Sequence, residues 1–267
     1  MPAPENTFKK RLLAGELQIG CWLATGDDYV AEVMGTAGFD WLVVDGEHAP
    51  NDIRSLRAQL TALAASDSHP VVRVPVGDTR IIKQVLDIGA QTVLVPMVET
   101  AEQAAELVRD CRYAPGGRRG VGAALARASG FNAISDYVGT ANDQICLLVQ
   151  VESVSGMQNI EEIASIDGVD GVFIGPADLA TDMGFTGNAD APEVREVIRD
   201  GLAKIAAAGK APGILAMKEE IARRYLDEGA RFLAVGADIM LLATAARGLS
   251  AKSQSELHRG CGNKIQI

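Results

Sequence analysis

Apolar residues in this chain gather into eight short continuous runs, at residues 19–24, 41–45, 71–75, 92–97, 146–152, 171–175, 211–215 and 232–235. Continuous apolar runs of this length suit strands buried on both faces, whereas apolar positions recurring every three or four residues mark amphipathic helices. Such helical patterns occupy 29–37, 53–65, 81–88, 101–111, 157–164, 192–208 and 219–228, so strand and helix alternate along nearly the whole chain. An earlier helix is expected over 7–14, capped by Asn6, with Phe8, Leu12 and Leu13 on one face. Alternation of this kind predicts an α/β fold with a parallel sheet under helices. Eight units predict closure into a single-domain (β/α)8 TIM barrel, because a closed sheet has no exposed edge.

Three details refine the picture. An open dinucleotide-binding sheet needs a glycine-rich turn after its first strand, and neither 23–28 nor 120–125 supplies one. The connection 113–143 is far longer than its neighbours, and loops of that length inside compact domains are usually functional. Beyond Leu249 the chain turns polar, so the expected division is a barrel over 1–249 and a polar tail over 250–267, frayed or packed on a neighbour.

Hydrophobic residues make up 48% of the chain and aromatic ones only 4%, so the core must be built from Val, Ile, Leu and Ala. A net charge of -10 disfavours nucleic acid and anionic membrane as partners, since both select a basic face. Cys21, Cys111, Cys146 and Cys261 lack metal-site or paired spacing, and Cys21 and Cys146 sit within apolar runs as core thiols. Without a secretory leader pattern or a membrane-length apolar segment, a reducing cytoplasm is the expected compartment.

The chemistry gathers where strands end. In a barrel the C-terminal ends of all strands share one face, where active sites lie. That face collects Asp45, Glu47 and His48 after strand 2, Arg73 in strand 3, Gln150 and Glu152 at strand 5, and Ala177 and Asp178 after strand 6. Taken alone, Asp45 and Glu47 could cap the next helix while His48 packs. Glu152 and Asp178, from neighbouring strands, could equally share one divalent ion and leave its remaining positions to water and substrate. Arginine inside a buried strand needs an anion, so Arg73 meets either a structural carboxylate or a substrate oxygen. His69 and His258 are expected to be bystanders.

No strand run contains a lysine, which disfavours a Schiff-base mechanism; only Lys218 approaches the relevant face, and Glu219 and Glu220 would keep it charged. A serine elbow, a zinc-protease motif and a P-loop are also missing.

Three motifs in order, Asp45-Gly46-Glu47-His48-Ala49-Pro50, Val149-Gln150-Val151-Glu152 and Ile174-Gly175-Pro176-Ala177-Asp178-Leu179, resemble the HpcH/HpaI aldolase family of metal-dependent class II pyruvate aldolases. The resemblance runs from about residue 12 to about residue 249. It implies a barrel with a swapped eighth helix, assembled as a homohexamer (a trimer of dimers). It also implies reversible retro-aldol cleavage of 4-hydroxy-2-oxo acids, such as 4-hydroxy-2-oxoheptanedioate, to pyruvate and an aldehyde with Mg, Mn or Co as cofactor. By the same resemblance Glu152 and Asp178 hold the metal, His48 is the base and Arg73 stabilises the enolate. Gln150, Ala177, Asp178 and Arg73 then contact substrate, Asp87 raises the basicity of His48, and Asp45 and Glu47 support the site. A related metal-dependent barrel acting on acyl-CoA or phosphoenolpyruvate-type substrates is the alternative; it would draw on Arg112, Arg118, Arg119 and Arg127 of the long connection.

Overall fold

The computed structural model describes residues 1–262. Eight parallel strands close in chain order: β1 (Gln18–Leu23), β2 (Trp41–Asp45), β3 (His69–Arg73), β4 (Thr92–Val95), β5 (Cys146–Val151), β6 (Gly171–Ile174), β7 (Ala211–Leu215) and β8 (Phe232–Ala237). The helices are α1 (Thr7–Leu13), α2 (Asp28–Gly35), α3 (Ile53–Ala62), α4 (Thr79–Asp87), α5 (Ala101–Cys111), α6 (Tyr137–Gln144), α7 (Val154–Gln158), α8 (Ile160–Ser165), α9 (Pro176–Asp182), α10 (Pro192–Ala207), α11 (Glu219–Asp227) and α12 (Asp238–Gly262). The (β/α)8 barrel expected from the alternation is therefore the fold. Among the described residues no helix is long and apolar enough to cross a membrane.

Side-chain alternation along the strands sorts the core into two shells. Leu42, Val44, Val72, Val93, Leu147, Val149 and Val172 point outward into the layer between strands and helices. Trp41, Val43, Val71, Leu94, Cys146, Leu148, Phe173 and Phe232 fill the interior. Two bulky interior rings fit only because glycines face them. A Cβ on Gly20 would lie 2.2 Å from the Trp41 ring, and one on Gly213 would lie 2.2 Å from Phe232. The same parity places Asp45, Arg73 and Gln150 in the top interior layer, which is how polar residues at strand ends come to converge.

The bottom is closed by α1. Asn6 caps it by accepting from the Lys9 N–H, and its Nδ2 donates to Thr92 Oγ1 and to the carbonyls of Gln91 and Gln144. Phe8 and Leu12 then seal the interior. His69 stacks on Phe8 at 5.3 Å between centroids and lies 2.8 Å from Thr92 Oγ1. Burial lowers its pKa to about 4, so the fold favours the neutral ring. The stabilisation is complete above the ordinary value near 6.5 and is lost as pH falls from there towards 4. We expect urea stability to drop by about 3 kcal/mol across that window through this group, and His69→Gln to remove that drop. An unchanged slope in the variant would contradict the assignment.

The structure differs from the sequence expectation in two places. The long connection contains α6 and two short 3-10 turns, 123–125 and 127–129. Because it joins α5 to β5, it lies at the N-terminal end of the barrel, away from the strand ends that carry the site chemistry. α12 runs unbroken through Leu249, so the expected boundary between 249 and 250 falls inside one helix. A polar stretch reads the same whether it is coil or solvated helix, and only apolar periodicity would have separated them. His258 and Cys261 lie outside the residues whose side chains are described. Cys21, Cys111 and Cys146 are free and buried, and burial raises the Cys21 thiol to about 11 and Cys111 to about 12. They are core groups, as expected for the first and third.

Candidate active site

The loop after β2 is shaped by contact with β3. Gly46 N donates to the Arg73 carbonyl at 2.8 Å, and a Cβ at Gly46 would sit 2.7 Å from that oxygen, so only glycine permits the approach. Asp45 Oδ1 accepts from the N–H of Glu47 at 3.0 Å, folding the loop so that Glu47 and His48 sit over the barrel mouth. The expectation that Asp45 and Glu47 cap the next helix does not hold, because Asp52 caps α3; Asp45 instead shapes the loop and binds Arg73.

Arg73 is 7% exposed and answers to two anions. Nε and Nη2 donate to the two Asp45 oxygens at 2.9 and 2.7 Å, a bidentate fork. Nη1 lies 2.8 Å from Glu47 Oε2 without an aligned hydrogen bond, so that contact is charge pairing. The guanidinium also sits 5.3 Å from the Trp22 ring centroid. Each terminal nitrogen keeps one N–H beyond these contacts, available to a ligand in the cavity that Arg73 lines.

Glu152 follows β5 and is gripped at both oxygens. Oε1 accepts from the Met97 N–H at 2.9 Å and Oε2 from Gln150 Nε2 at 2.5 Å. Met97 holds a left-handed backbone, φ 57, at the end of β4, a strained conformation that aims its N–H at the carboxylate. Burial raises the pKa of Glu152, the two hydrogen bonds oppose that rise, and the nearby Asp178 carboxylate adds to it. Burial likewise raises Glu47, countered by Arg73 and His48 and reinforced by Glu152 and Asp45. Glu47 thus lies in the field of Arg73, His48 and Glu152, and Glu152 in that of Asp178 and Arg73.

Asp178 stands in the first turn of α9, where the helix dipole favours an anion. Gly175, just before that helix, keeps space open: a Cβ there would lie 2.7 Å from Glu152 Oε2. No ion pair is found for Glu152 or Asp178 among the described residues, since Arg73 is taken by Asp45 and Glu47. Two carboxylates close enough for Asp178 to act on Glu152 by charge, without a cation partner among the described residues and beside a gap that glycine preserves, fit a divalent ion with oxygen ligands. Among the described residues no group of three His, Cys, Asp or Glu is placed to hold a metal ion together.

The cavity holds about 310 Å³ and is lined by Arg73, His48, Gln150, Ala177 and Asp178 together with an apolar wall that the sequence did not single out. The His48 side chain is 70% exposed at its rim, with Nε2 4.0 Å from Glu47 Oε2. Gln150 turns its amide nitrogen to Glu152, which can only accept, so its buried Oε1 has no partner and is left for a ligand donor. Met97 was also missed in the sequence, because nothing in an apolar strand end signals a left-handed residue.

Asp87 is not brought to His48. It is the last residue of α4, and helices run antiparallel to the strands, so it lies at the opposite end of the barrel paired with Arg119 at 2.8 Å. Arg118 pairs with Glu106 and Asp110 on α5, and Arg127 reaches the carbonyls of Ile88 and Leu60. Arg112 is the C-cap of α5, at that same lower end. None of the four arginines reserved for an acyl-CoA or phosphoenolpyruvate substrate reaches this cavity.

A closed parallel barrel gathers an arginine fork, two neighbouring carboxylates and a histidine at its C-terminal mouth, groups that a lyase site can use. Residues 18–245 match the family described as HpcH/HpaI aldolase/citrate lyase, and the chain belongs to that family. It is an enzyme, a carbon-carbon lyase. The chain is 59% identical to a hydroxypyruvate/pyruvate aldolase of Roseovarius nubinhibens over 96% of its own length and 100% of the relative's. It is 54% identical to a 4-hydroxy-2-oxo-heptane-1,7-dioate aldolase of Escherichia coli, covering 93% and 95% of the two chains. A crystal structure of an HpcH/HpaI aldolase/citrate lyase family protein from Burkholderia cenocepacia superposes with a TM-score of 0.90 at 42% identity, over 93% of this chain and 99% of the other.

Proposed function

We propose that the chain is a divalent-metal-dependent aldolase that reversibly cleaves 4-hydroxy-2-oxo acids, 4-hydroxy-2-oxoheptanedioate among them, to pyruvate and an aldehyde. The observation that carries this reading is the carboxylate of Glu152, without a cation partner among the described residues and within the field of Asp178 and Arg73, which both line the cavity. Mg, Mn or Co held by the two carboxylates would supply Lewis acidity at the 2-oxo group. His48 takes the proton of the 4-hydroxyl as the bond between C3 and C4 breaks. The electrons of that bond pass to C3 and the 2-oxo oxygen, giving the enolate of pyruvate and a free aldehyde. Arg73 places its spare N–H groups where the enolate oxygen gathers charge, and Asp45 fixes their direction.

The partner we infer is a second copy of the chain. Ile239, Leu241, Leu242 and Leu249 of α12 are 43 to 68% exposed, an apolar stripe that suits a helix docked on a neighbouring barrel in a homohexamer built as a trimer of dimers. Buried free thiols agree with a reducing cytoplasm.

Chelation should abolish pyruvate release from a 4-hydroxy-2-oxo acid and added divalent ion should restore it, with turnover lost by at least a hundredfold between the two states. Borohydride treatment with pyruvate should leave the protein mass unchanged. A pyruvyl adduct on any lysine, or full activity in chelator, would overturn the reading.

A further inference from the structure

Met97 stands just past β4 with φ 57, and a residue other than glycine keeps a left-handed backbone only where neighbouring contacts hold it there. Those contacts lie in the two residues that follow. Val98 N donates to the Gln150 carbonyl at 3.0 Å, which docks the turn on β5. Glu99 is then tied on three sides. Its N–H donates to Gln103 Oε1 at 2.7 Å, its carbonyl accepts from Asn159 Nδ2 at 2.8 Å, and its carboxylate accepts from Ser153 Oγ at 2.5 Å.

Two of these partners come from the next βα unit. Ser153 caps α7 by accepting from the Gly156 N–H at 3.0 Å, and Asn159 lies between α7 and α8. That segment approaches the turn closely because Gly156 has no side chain: a Cβ there would be 3.1 Å from the Val98 carbonyl and 2.8 Å from Val151 Cγ1. Ser153 and Asn159 therefore staple the turn after β4 to the segment that follows Glu152.

What the staple delivers is the Met97 N–H. Glu152 Oε1 accepts it at 2.9 Å, while the donor to Oε2, Gln150, belongs to the strand that Glu152 itself follows. Met97 is thus the contact that fixes the carboxylate relative to the neighbouring strand. With a donor on each oxygen the plane of the group is set, and each oxygen keeps acceptor capacity for a metal ion. The Glu99 carboxylate serves here as an acceptor for Ser153, a task that an amide oxygen performs as well.

We propose that Glu99, Ser153 and Asn159 are positioning residues for the metal-binding carboxylate: they hold Met97 in its left-handed conformation and so aim its N–H at Glu152. This rests on the metal-dependent aldolase reading. The test is calorimetric titration of manganese into the full-length enzyme after chelator has stripped it. Asn159→Ala and Glu99→Ala should each raise the Kd for manganese by roughly tenfold or more, the scale for losing a hydrogen-bonding partner behind a metal ligand. Glu99→Gln keeps the acceptor for Ser153 and should stay within about threefold of wild type. At saturating manganese, oxaloacetate decarboxylation by the alanine variants should return to within about threefold of wild type, because the loss lies in holding the ion. A purely structural role would lower the urea midpoint and leave the manganese Kd in place. The proposal is overturned by a Kd within about twofold of wild type in both alanine variants, by a Glu99→Gln enzyme as weak as Glu99→Ala, or by a turnover loss that saturating manganese leaves in place. A wild-type enzyme that binds no manganese would overturn the metal site and the staple together. Manganese binding without pyruvate release from a 4-hydroxy-2-oxo acid would overturn the aldolase reading alone.

Discussion

Arg73→Lys should lower both aldol cleavage and oxaloacetate decarboxylation by two to three orders of magnitude, about 3–4 kcal/mol of transition-state stabilisation on the scale of single oxyanion donors. Both reactions pass through the same pyruvate enolate, so a group that stabilises its oxygen must matter to both. An ammonium carries the charge but cannot bind Asp45 with two parallel N–H groups at 2.9 and 2.7 Å, pair with Glu47, and still present N–H groups to the cavity. Arg73→Ala should cost activity at least as much, yet it is the poorer test. It strands two buried carboxylates without a cation, and breaking a buried pair in this way typically destabilises by about 3–5 kcal/mol. Urea midpoints separate the two effects: Arg73→Lys should stay folded while losing turnover. Retention of one tenth or more of wild-type decarboxylation in a folded, metal-loaded Arg73→Lys enzyme would refute the enolate role.

The sequence made the barrel legible because the strands are almost wholly buried on both faces and so appear as nearly unbroken apolar runs. Ends such as 41–45, 211–215 and the helix 101–111 coincide with the observed elements. Most of the constellation was legible for the same reason. A charged residue such as Arg73 or Asp45 at the end of such a run can only be at the mouth, and parity then turns it inward. Three features were hidden. The rim wall of Met217 and Met240 consists of apolar residues in an apolar-rich chain, and nothing local distinguishes a cavity wall from core. The grip of Met97 on Glu152 is a backbone contact between neighbouring strand ends, fixed by a left-handed residue that the side chain does not encode. Asp87 carries a role inherited by resemblance, whereas its place at the end of α4 sets it beside Arg119 at the far end of this chain's barrel. The direction of a helix relative to its strand decides which end of the molecule a residue reaches, and spacing along the sequence does not report that.

His48→Ala should separate the two reactions that Arg73→Lys depresses together. Cleavage of a 4-hydroxy-2-oxo acid requires removal of the hydroxyl proton as the carbon-carbon bond breaks, and a positioned base typically contributes 10²- to 10⁴-fold to such a step. Decarboxylation of oxaloacetate breaks its bond by releasing carbon dioxide from an already ionised carboxylate, so no hydroxyl proton has to be removed. We therefore expect aldol cleavage to fall by about two to four orders of magnitude, and decarboxylation by no more than about tenfold. The variant is a clean probe because the His48 side chain is 70% exposed and makes no aligned side-chain hydrogen bond among the described residues, so its removal should shift stability by under ~0.5 kcal/mol. Metal content and urea midpoint, measured on the same preparation, exclude loss of the ion or the fold as the cause. Equal losses in the two activities at matched metal occupancy would show that His48 acts on a step common to both, and its assignment as the base for the hydroxyl proton would be wrong.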